Sequence, residues 1–176
     1  MVIDKLINAG VLKFGEFTLT SGKKSSVYVD LKSAYTDPSI LTILCNEIVN
    51  KLNKEKIEFE RIACIELGGV PIAVALSLKT KKPFVIFRKK RKEHGVKEEF
   101  IGTINKDEKI LVVDDVTTTG SSVLTISNKI KELGAKVECI FSIVDREEGA
   151  KDNIEKNNFK FLNLLTLSDL IKFKKT

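Results

Sequence analysis

The chain has 176 residues, a length typical of one domain, and its 43% hydrophobic and 31% charged residues indicate a globular rather than a disordered protein. Its 30 Lys and Arg residues exceed its 24 Asp and Glu residues, and the net charge of +6 suits an anionic partner, either nucleic acid or a polyphosphate substrate. Neither a signal-peptide core nor 18 consecutive apolar residues occur, so we predict a cytoplasmic protein that does not enter a membrane.

Residues with strong metal-binding or redox chemistry are few and scattered. Cys45, Cys64 and Cys139 lie far apart in apolar surroundings, which predicts buried free thiols in a reducing compartment. His94 is the single histidine, and no Cys-x-x-Cys pair occurs. We therefore expect no structural zinc site.

The first half of the chain predicts a hairpin followed by alternating helices and strands. Residues 11–35 mix aromatic, polar and Gly residues in a hairpin-like pattern. Asp37 and Pro38 then give an N-cap and first-turn signal for a helix with one apolar face. Apolar runs at residues 61–67 and 83–87 predict buried strands, and residues 69–78 between them predict a helix.

The second half repeats this alternation. Residues 109–116 and 136–145 predict two more buried strands, and a helix between them should begin at Ser121 or Ser122 and end at Gly134. Residues near the C-terminus predict a short strand and then a helix capped by Ser168. This alternation is typical of an open α/β sheet, and no linker is long enough to divide the chain into two domains.

The stretch "ILVVDDVTTTGSS", residues 110–122, joins an apolar strand to a helix through two acids and a hydroxyl-rich turn. Ligands of open parallel sheets bind beyond the carboxyl ends of the strands, where this turn should lie. Backbone N–H groups, hydroxyls and Gly120 at a helix N-terminus suit a phosphate, while Asp114 and Asp115 suit the vicinal hydroxyls of a ribose or a substrate-bound metal ion. The alternative is that both acids face solvent and Ser121 only caps the helix.

This stretch resembles the phosphoribosyl pyrophosphate signature of the type I phosphoribosyltransferases. Three further stretches resemble the orotate phosphoribosyltransferases within that family: "VLKFGEFTLTSGKKSSVYVD", "FRKKRKEHG" and "VDREEG". The resemblance implies an α/β fold with a five-stranded parallel core flanked by helices and a small hood made from the chain ends. It implies a single domain over residues 1–176, with the hood at about 11–35 and 159–175 and the core at about 36–158.

The resemblance also implies a reaction and its partners. The 5-phosphoribosyl group of phosphoribosyl pyrophosphate would pass to N1 of orotate, giving orotidine 5'-monophosphate and pyrophosphate in pyrimidine synthesis. Mg²⁺ would be bound mainly through the substrate, and the active unit would be a homodimer in which the loop at residues 88–100 reaches the neighbouring site. Two alternatives stay open: a purine-type phosphoribosyltransferase, and a regulator that binds nucleic acid through its basic surface.

The basic segment "RKKRKEHGVKEE" begins directly after a predicted strand. Alone it predicts a solvated loop or a nucleic-acid contact. The resemblance instead assigns catalytic roles to Lys92, His94, Asp114 and Asp115, and it assigns orotate contacts to Thr118 and Arg146, with Tyr28 as a candidate. The positions that it assigns to phosphoribosyl pyrophosphate are Arg88, Lys89, Lys92, His94, Asp114, Asp115, Val116, Thr117, Thr118, Thr119, Gly120, Ser121 and Ser122.

Two positions depart from the family pattern. Many bacterial members have a Lys where Thr20 stands, and a Tyr-Lys pair where Leu67 and Gly68 stand. Both lysines contact substrate phosphates in those members. We therefore expect backbone amides of "ELGGVP", residues 66–71, to supply the pyrophosphate contacts at this wall.

Overall fold

The computed structural model describes residues 2–18, 22, 24–89 and 99–174. In chain order, its elements are α1 (Val2–Asn8), β1 (Leu12–Thr18), β2 (Lys24–Val29), α2 (Leu31–Ala34), α3 (Pro38–Lys54), β3 (Arg61–Ile65), α4 (Gly69–Thr80), β4 (Phe84–Phe87), β5 (Phe100–Ile101), β6 (Lys109–Thr117), α5 (Ser121–Glu132), β7 (Lys136–Asp145), α6 (Ala150–Lys156), β8 (Phe161–Thr166) and α7 (Leu167–Lys174).

The main sheet has the order β5-β4-β3-β6-β7-β8. Five of these strands are parallel, and only β5 runs antiparallel, at the edge beside β4. Strands β3 and β7 are buried over nearly their whole length because helices cover both faces of the sheet. The predicted five-stranded parallel core is therefore confirmed, and β6, with its two acids, lies at its centre.

The helices on each face build a separate hydrophobic cluster against the sheet. On one side α3 and α4 contribute Leu44, Ile48 and Leu76, and on the other α5 and α6 contribute Ile130 and Ile154. The predicted start of α3 is confirmed, because the Asp37 side chain accepts a hydrogen bond from the Ser39 backbone N–H at 2.8 Å. Among the described residues, no helix combines the length and the apolar character needed to cross a bilayer.

The hood is built from both chain ends, but with different boundaries from those predicted. Strands β1 and β2 form an antiparallel hairpin, and α7 packs on α1 and places the Lys174 ammonium 4.4 Å from the centroid of the Phe14 ring. Strand β8, which the predicted hood segment at 159–175 included, instead pairs with β7 in the main sheet. Its partly buried apolar residues pack against the hydrophobic cluster of the core.

The N-terminus of α7 also differs from the prediction. Ser168 lies inside the first turn, and its backbone N–H donates to the Glu147 carboxylate at 2.9 Å. Thr166 and Asp169 form the reciprocal cap: the Thr166 hydroxyl accepts from the Asp169 N–H at 3.1 Å, and the Asp169 carboxylate accepts from the Thr166 N–H at 2.8 Å. Because this cap follows β8 without a loop, the helix begins at the sheet edge.

Candidate active site

The carboxyl end of β6 opens into a small recess formed by the turn that leads into α5. The recess has a volume of about 190 Å³ and is lined by Lys89, Asp114 and the continuous run from Val116 to Val123. Gly120 has a left-handed backbone with φ of 78°, and an added Cβ there would lie 3.0 Å from Ile154. Asn153 donates to the Thr119 carbonyl at 3.0 Å, so α6 supports the turn from behind.

This recess has the size and the groups that a phosphate requires. The Thr117 hydroxyl is buried and has no hydrogen-bond partner among the described residues. The Thr119 hydroxyl donates to the Ser121 hydroxyl at 3.3 Å, and both lie at the N-terminus of α5. The turn is therefore a concave, hydroxyl-rich surface at the positive end of a helix dipole, as the sequence predicts.

A larger cleft of about 530 Å³ adjoins this recess and separates the sheet from the hood. The hood contributes Thr18, Tyr28, Val29 and Lys32 to its walls. The ends of the parallel strands contribute the facing wall: Ile65, Glu66, Leu67, Gly68, Lys89, Asp114, Asp115, Val116, Thr118, Ser122 and Arg146. The two recesses share residues of the turn, so one ligand can extend from the small recess into the large cleft.

Asp114 and Asp115 lie side by side on the floor of the cleft with different surroundings. The Asp114 carboxylate accepts from the Asp115 N–H at 3.0 Å, and the Asp115 carboxylate accepts from the Val116 N–H at 2.8 Å. Burial of the carboxyl group, followed by the charge of Asp115, raises the pKa of Asp114 well above its ordinary value. The two acids are thus held by their own backbone, which fixes where their free oxygens point.

Gly68 lies directly against the Asp115 carboxylate. A Cβ added to Gly68 would stand 2.2 Å from the Asp115 Cγ and Oδ2 atoms and 2.4 Å from Oδ1. The peptide between Glu66 and Leu67, just before this contact, is cis. The carboxylate therefore occupies the space that a side chain at position 68 would need, so a larger residue there requires the Asp115 side chain to shift.

Arg146 connects the cleft to the hood hairpin. Its Nε donates to Glu148 at 2.7 Å, while Nη1 donates to the Val27 carbonyl at 3.2 Å and Nη2 donates to the Ser25 hydroxyl at 3.1 Å. A guanidinium has five N–H groups, so these bonds leave one N–H on each terminal nitrogen. The side chain is buried and lines the cleft, where a guanidinium is suited to a planar acceptor pair.

The two other residues assigned to orotate also line the large cleft. Thr118 lies at its floor, and Tyr28 lies at its hood wall with its ring 5.4 Å from that of Phe17. The contact with Tyr28 gives Phe17 a packing role in the hairpin. Tyr28, Thr118 and Arg146 come from three separate segments of the chain, and the structure brings them together.

The first two residues of the basic segment, Arg88 and Lys89, differ in the cavities that they line. Lys89 lines both the recess and the cleft, and its backbone N–H donates to Glu66 at 2.9 Å. Arg88, assigned with Lys89 to the same ligand, does not line the recess or the cleft; both residues line a third cavity of about 390 Å³ beside Glu99 and Lys129. Arg88 is therefore not brought to the cleft of its own chain. Lys92, His94 and Thr20 lie outside the described residues.

Sequence reasoning missed Lys32, Glu66 and Tyr35 at this site. Lys32 projects from α2 into the cleft, with Nζ 3.7 Å from Asp115 Oδ2. Tyr35 is buried, and its hydroxyl has no hydrogen-bond partner among the described residues; burial, then the charges of Asp115 and Asp114, raise the pKa of Tyr35 well above its ordinary value. The only feature of the sequence that could have indicated a site residue here is the charge of Lys32, and a charge alone does not distinguish a cleft lysine from a surface lysine.

Within the described residues, no group of three His, Cys, Asp or Glu side chains is arranged to hold a metal ion. The three cysteines are free and buried, and burial raises the pKa values of Cys64 and Cys139 to about 12. Their thiols are therefore protonated and unreactive at neutral pH. The chemistry of the site rests on carboxylates, hydroxyls and cations.

A parallel sheet with a phosphate-sized turn, paired acids and a hood defines the phosphoribosyltransferase class. The family model for the phosphoribosyl transferase domain matches residues 32–169 of the chain. The chain is 50% identical to the orotate phosphoribosyltransferase of Pyrococcus horikoshii and 51% identical to that of Archaeoglobus fulgidus. Each alignment covers 97% of this chain, and the two cover 92% and 90% of the respective relatives.

A solved structure agrees with these sequence comparisons. The crystal structure of orotate phosphoribosyltransferase from Aeropyrum pernix matches with a TM-score of 0.89 at 28% identity, over 99% of this chain and 98% of that one. The chain belongs to the phosphoribosyltransferase family and, within it, to the orotate phosphoribosyltransferases. The predicted family and fold are thereby confirmed.

Proposed function

We propose that the chain transfers the 5-phosphoribosyl group of phosphoribosyl pyrophosphate to N1 of orotate, giving orotidine 5'-monophosphate and pyrophosphate for pyrimidine synthesis. One observation carries the proposal: a phosphate-sized recess opens into a cleft whose floor holds two acids, with Tyr28 on the hood wall and Arg146 on the facing wall. A sugar phosphate with a leaving group and a flat acidic base fits this order of groups.

The turn and the acids would hold the ribose phosphate. The 5'-phosphate would occupy the recess at residues 117–122, where hydroxyls and the N-terminus of α5 meet its charge. The Asp114 and Asp115 carboxylates, on the floor between recess and cleft, would accept hydrogen bonds from the ribose hydroxyls. Lys89, which lines both spaces, would contact the pyrophosphate and stabilise the negative charge that develops as it leaves.

Orotate would bind between the hood and the sheet. The two free N–H groups of Arg146 match a planar pair of acceptors on its carboxylate or carbonyl groups, while Tyr28 covers a ring face and Thr118 contacts the ring edge. Because orotate can attack through N1 as an anion, no protein nucleophile is required. The chain therefore contributes mainly positioning and charge stabilisation.

Mg²⁺ fits this site as a companion of the substrate. In the part of the chain that the structure describes, Asp114 and Asp115 have no third acidic, His or Cys ligand beside them, and Mg²⁺ commonly keeps water and substrate phosphates as ligands. It would be held mainly by substrate oxygens, with Asp114 and Asp115 available to its water ligands. When bound, it neutralises part of the charge on the pyrophosphate.

A homodimer with a shared basic loop completes the proposal. Lys89 lines the cleft of its own chain, whereas Arg88 does not and lines a separate cavity that it shares with Lys89. This division supports a loop at residues 88–100 that serves two sites, with Arg88, Lys92 and His94 reaching the neighbouring one. There Lys92 would stabilise the leaving pyrophosphate, and His94 would donate a hydrogen bond or a proton.

The reaction can be tested directly. With Mg²⁺, phosphoribosyl pyrophosphate and orotate, we expect the orotate absorbance to fall as orotidine 5'-monophosphate forms. The matched controls replace orotate by hypoxanthine or adenine, and neither should be consumed. Turnover of a purine without turnover of orotate would refute the proposed substrate in favour of the purine-type alternative. Nucleic-acid binding without turnover of either would favour the regulator.

Gly68→Ala tests the placement of Asp115. The new methyl group must displace the carboxylate, and a shift of about 1 Å in a positioned group can cost up to about a hundredfold, so we expect phosphoribosyl pyrophosphate to bind about ten- to a hundredfold more weakly. The backbone at Gly68, with φ −62° and ψ −37°, accepts alanine without strain, so the melting temperature should stay unchanged. Titration calorimetry and thermal melting measure both. Unchanged affinity would mean that Asp115 does not contact the sugar.

A further inference from the structure

The hood reaches the floor of the cleft through one cation. The Lys32 ammonium lies 3.7 Å from Asp115 Oδ2, and its side chain is 44% exposed while that of Asp115 is 13% exposed. This distance is an ion pair rather than a hydrogen bond, so Lys32 attracts the carboxylate without occupying a lone pair. The ammonium therefore leaves the carboxylate oxygen able to accept from a ligand.

Asp115 is confined on its other sides. Val116 N–H binds Oδ1 at 2.8 Å, and the Cα of Gly68 lies so close that no Cβ would fit beside the carboxylate. Lys32 approaches from the hood, on the side of the carboxylate that faces the cleft. Backbone, glycine and ammonium together restrict the carboxylate to one orientation, and of these Lys32 alone comes from the hood.

The two acids use different cations. Among the described residues that line the cleft, the cationic side chains are Lys32, Lys89 and Arg146, and Arg146 is bonded to Glu148 and the hairpin. Lys89 acts electrostatically on Asp114, whereas Lys32 pairs with Asp115. Partial burial opposes the charged form of Lys32. The charge of Asp115, together with interactions with Tyr28 and Asp30, outweighs the burial and raises the pKa of Lys32 above its usual value.

We infer that Lys32 is a positioning residue for substrate binding: from the hood, it holds the Asp115 carboxylate against Gly68 in the orientation that receives the ribose hydroxyls of phosphoribosyl pyrophosphate. This inference rests on the proposed function, which did not include Lys32. It adds a link between the hood and the sugar, because a residue of the hood sets the orientation of Asp115. It also supplies a side-chain cation at the wall where Gly68 stands.

The chain offers a matched control for testing Lys32. Lys13 is another hood lysine in an ion pair: its Nζ is 2.6 Å from Asp30 Oδ2, with 50% of the lysine side chain and 14% of the aspartate side chain exposed. Lys13→Met and Lys32→Met remove the same charge from similarly exposed pairs. Only Lys32 lines the cleft. A purely structural role for hood lysines therefore predicts equal effects, or a larger effect at Lys13, where the contact is shorter.

Titration calorimetry with phosphoribosyl pyrophosphate and Mg²⁺, together with steady-state kinetics, gives the readouts. We expect Lys32→Met to weaken phosphoribosyl pyrophosphate binding and raise its KM by about tenfold. Lys32→Arg should restore most of the affinity, and Lys13→Met should match the wild type. Equal behaviour of Lys32→Met and Lys13→Met would overturn the inference.

A double-mutant cycle separates a role through Asp115 from an independent one. If Lys32 acts through Asp115, then Lys32→Met should add little further loss of affinity to Asp115→Asn, whereas full additivity would refute a positioning role. Thermal melting of each variant shows whether it is folded. The wild-type protein tests the proposed function separately. If it neither binds phosphoribosyl pyrophosphate nor consumes orotate, the proposed function is wrong. If the wild type is active and Lys32→Met has the same affinity for phosphoribosyl pyrophosphate, only the inference about Lys32 is wrong.

Discussion

Arg146→Ala is expected to lose stability and orotate affinity together. The substitution leaves the buried Glu148 carboxylate without its partner and removes the bonds to the Val27 carbonyl and the Ser25 hydroxyl. Breaking one side of a buried ion pair costs on the order of 3 kcal/mol, so the free energy of unfolding should fall by about that amount. Loss of the two free N–H groups should raise the KM for orotate by about a hundredfold or more. Denaturant unfolding and steady-state kinetics measure the two effects.

Arg61→Ala is the matched control for Arg146→Ala. Arg61 pairs with Glu108 at 2.9 Å, and their side chains are 9% and 10% exposed, against 4% and 17% for Arg146 and Glu148. Arg61 lies at the amino end of β3, away from the cleft. Its removal should therefore cost similar stability and leave the KM for orotate unchanged. If the KM for orotate rose in both variants, the rise in Arg146→Ala would be explained by lost stability and not by a lost contact with orotate.

Lys92→Ala should reduce kcat by about two to three orders of magnitude. In the proposed reaction Lys92 interacts with the leaving pyrophosphate, and removing one group that stabilises transition-state charge typically costs about a hundredfold to a thousandfold. The melting temperature should not change. Lys97→Ala removes the same charge from the same segment at a position with no assigned role, and stopped assays of both variants give the comparison. A fully active Lys92→Ala enzyme would refute the catalytic assignment.

A hybrid enzyme tests whether the loop serves the neighbouring site. Neither Lys92→Ala nor Asp115→Asn should be active alone. If the loop acts across a dimer, co-expression should restore about a quarter of wild-type activity, because half of the dimers would be mixed and each would have one intact site. If the loop acts on its own chain, every site in the mixture stays defective and no activity returns.

The features that sequence reasoning located correctly are those set by neighbouring residues. The Asp37 cap, the four apolar strands and the turn after Asp115 each depend on a few adjacent residues, and each lies where the sequence predicts. The boundary of the hood was wrong because strand pairing decides it. The sequence of residues 161–166 predicts a strand but does not indicate which strand it pairs with. In the folded chain these residues pair with β7.

The missed parts of the site all join distant positions. Lys32 contacts Asp115, and Arg146 contacts Ser25, although the two residues of each pair are far apart in the sequence. No periodicity or spacing encodes such a contact. The same limit applies to Gly68, whose identity depends on the carboxylate packed against it rather than on its own turn. Family resemblance supplied residue roles, but it did not supply these supports.

The bonds from Arg146 to the hairpin restrict how this enzyme can be recombined with its relatives. Because one guanidinium contacts Val27, Ser25 and Glu148, the hairpin and the turn after β7 form a single functional unit although Ser25 and Arg146 lie 121 residues apart in the sequence. A chimera that exchanges only the N-terminal segment would inherit mismatched partners for this guanidinium. Grafting a foreign specificity onto this scaffold therefore requires both segments to be transferred together.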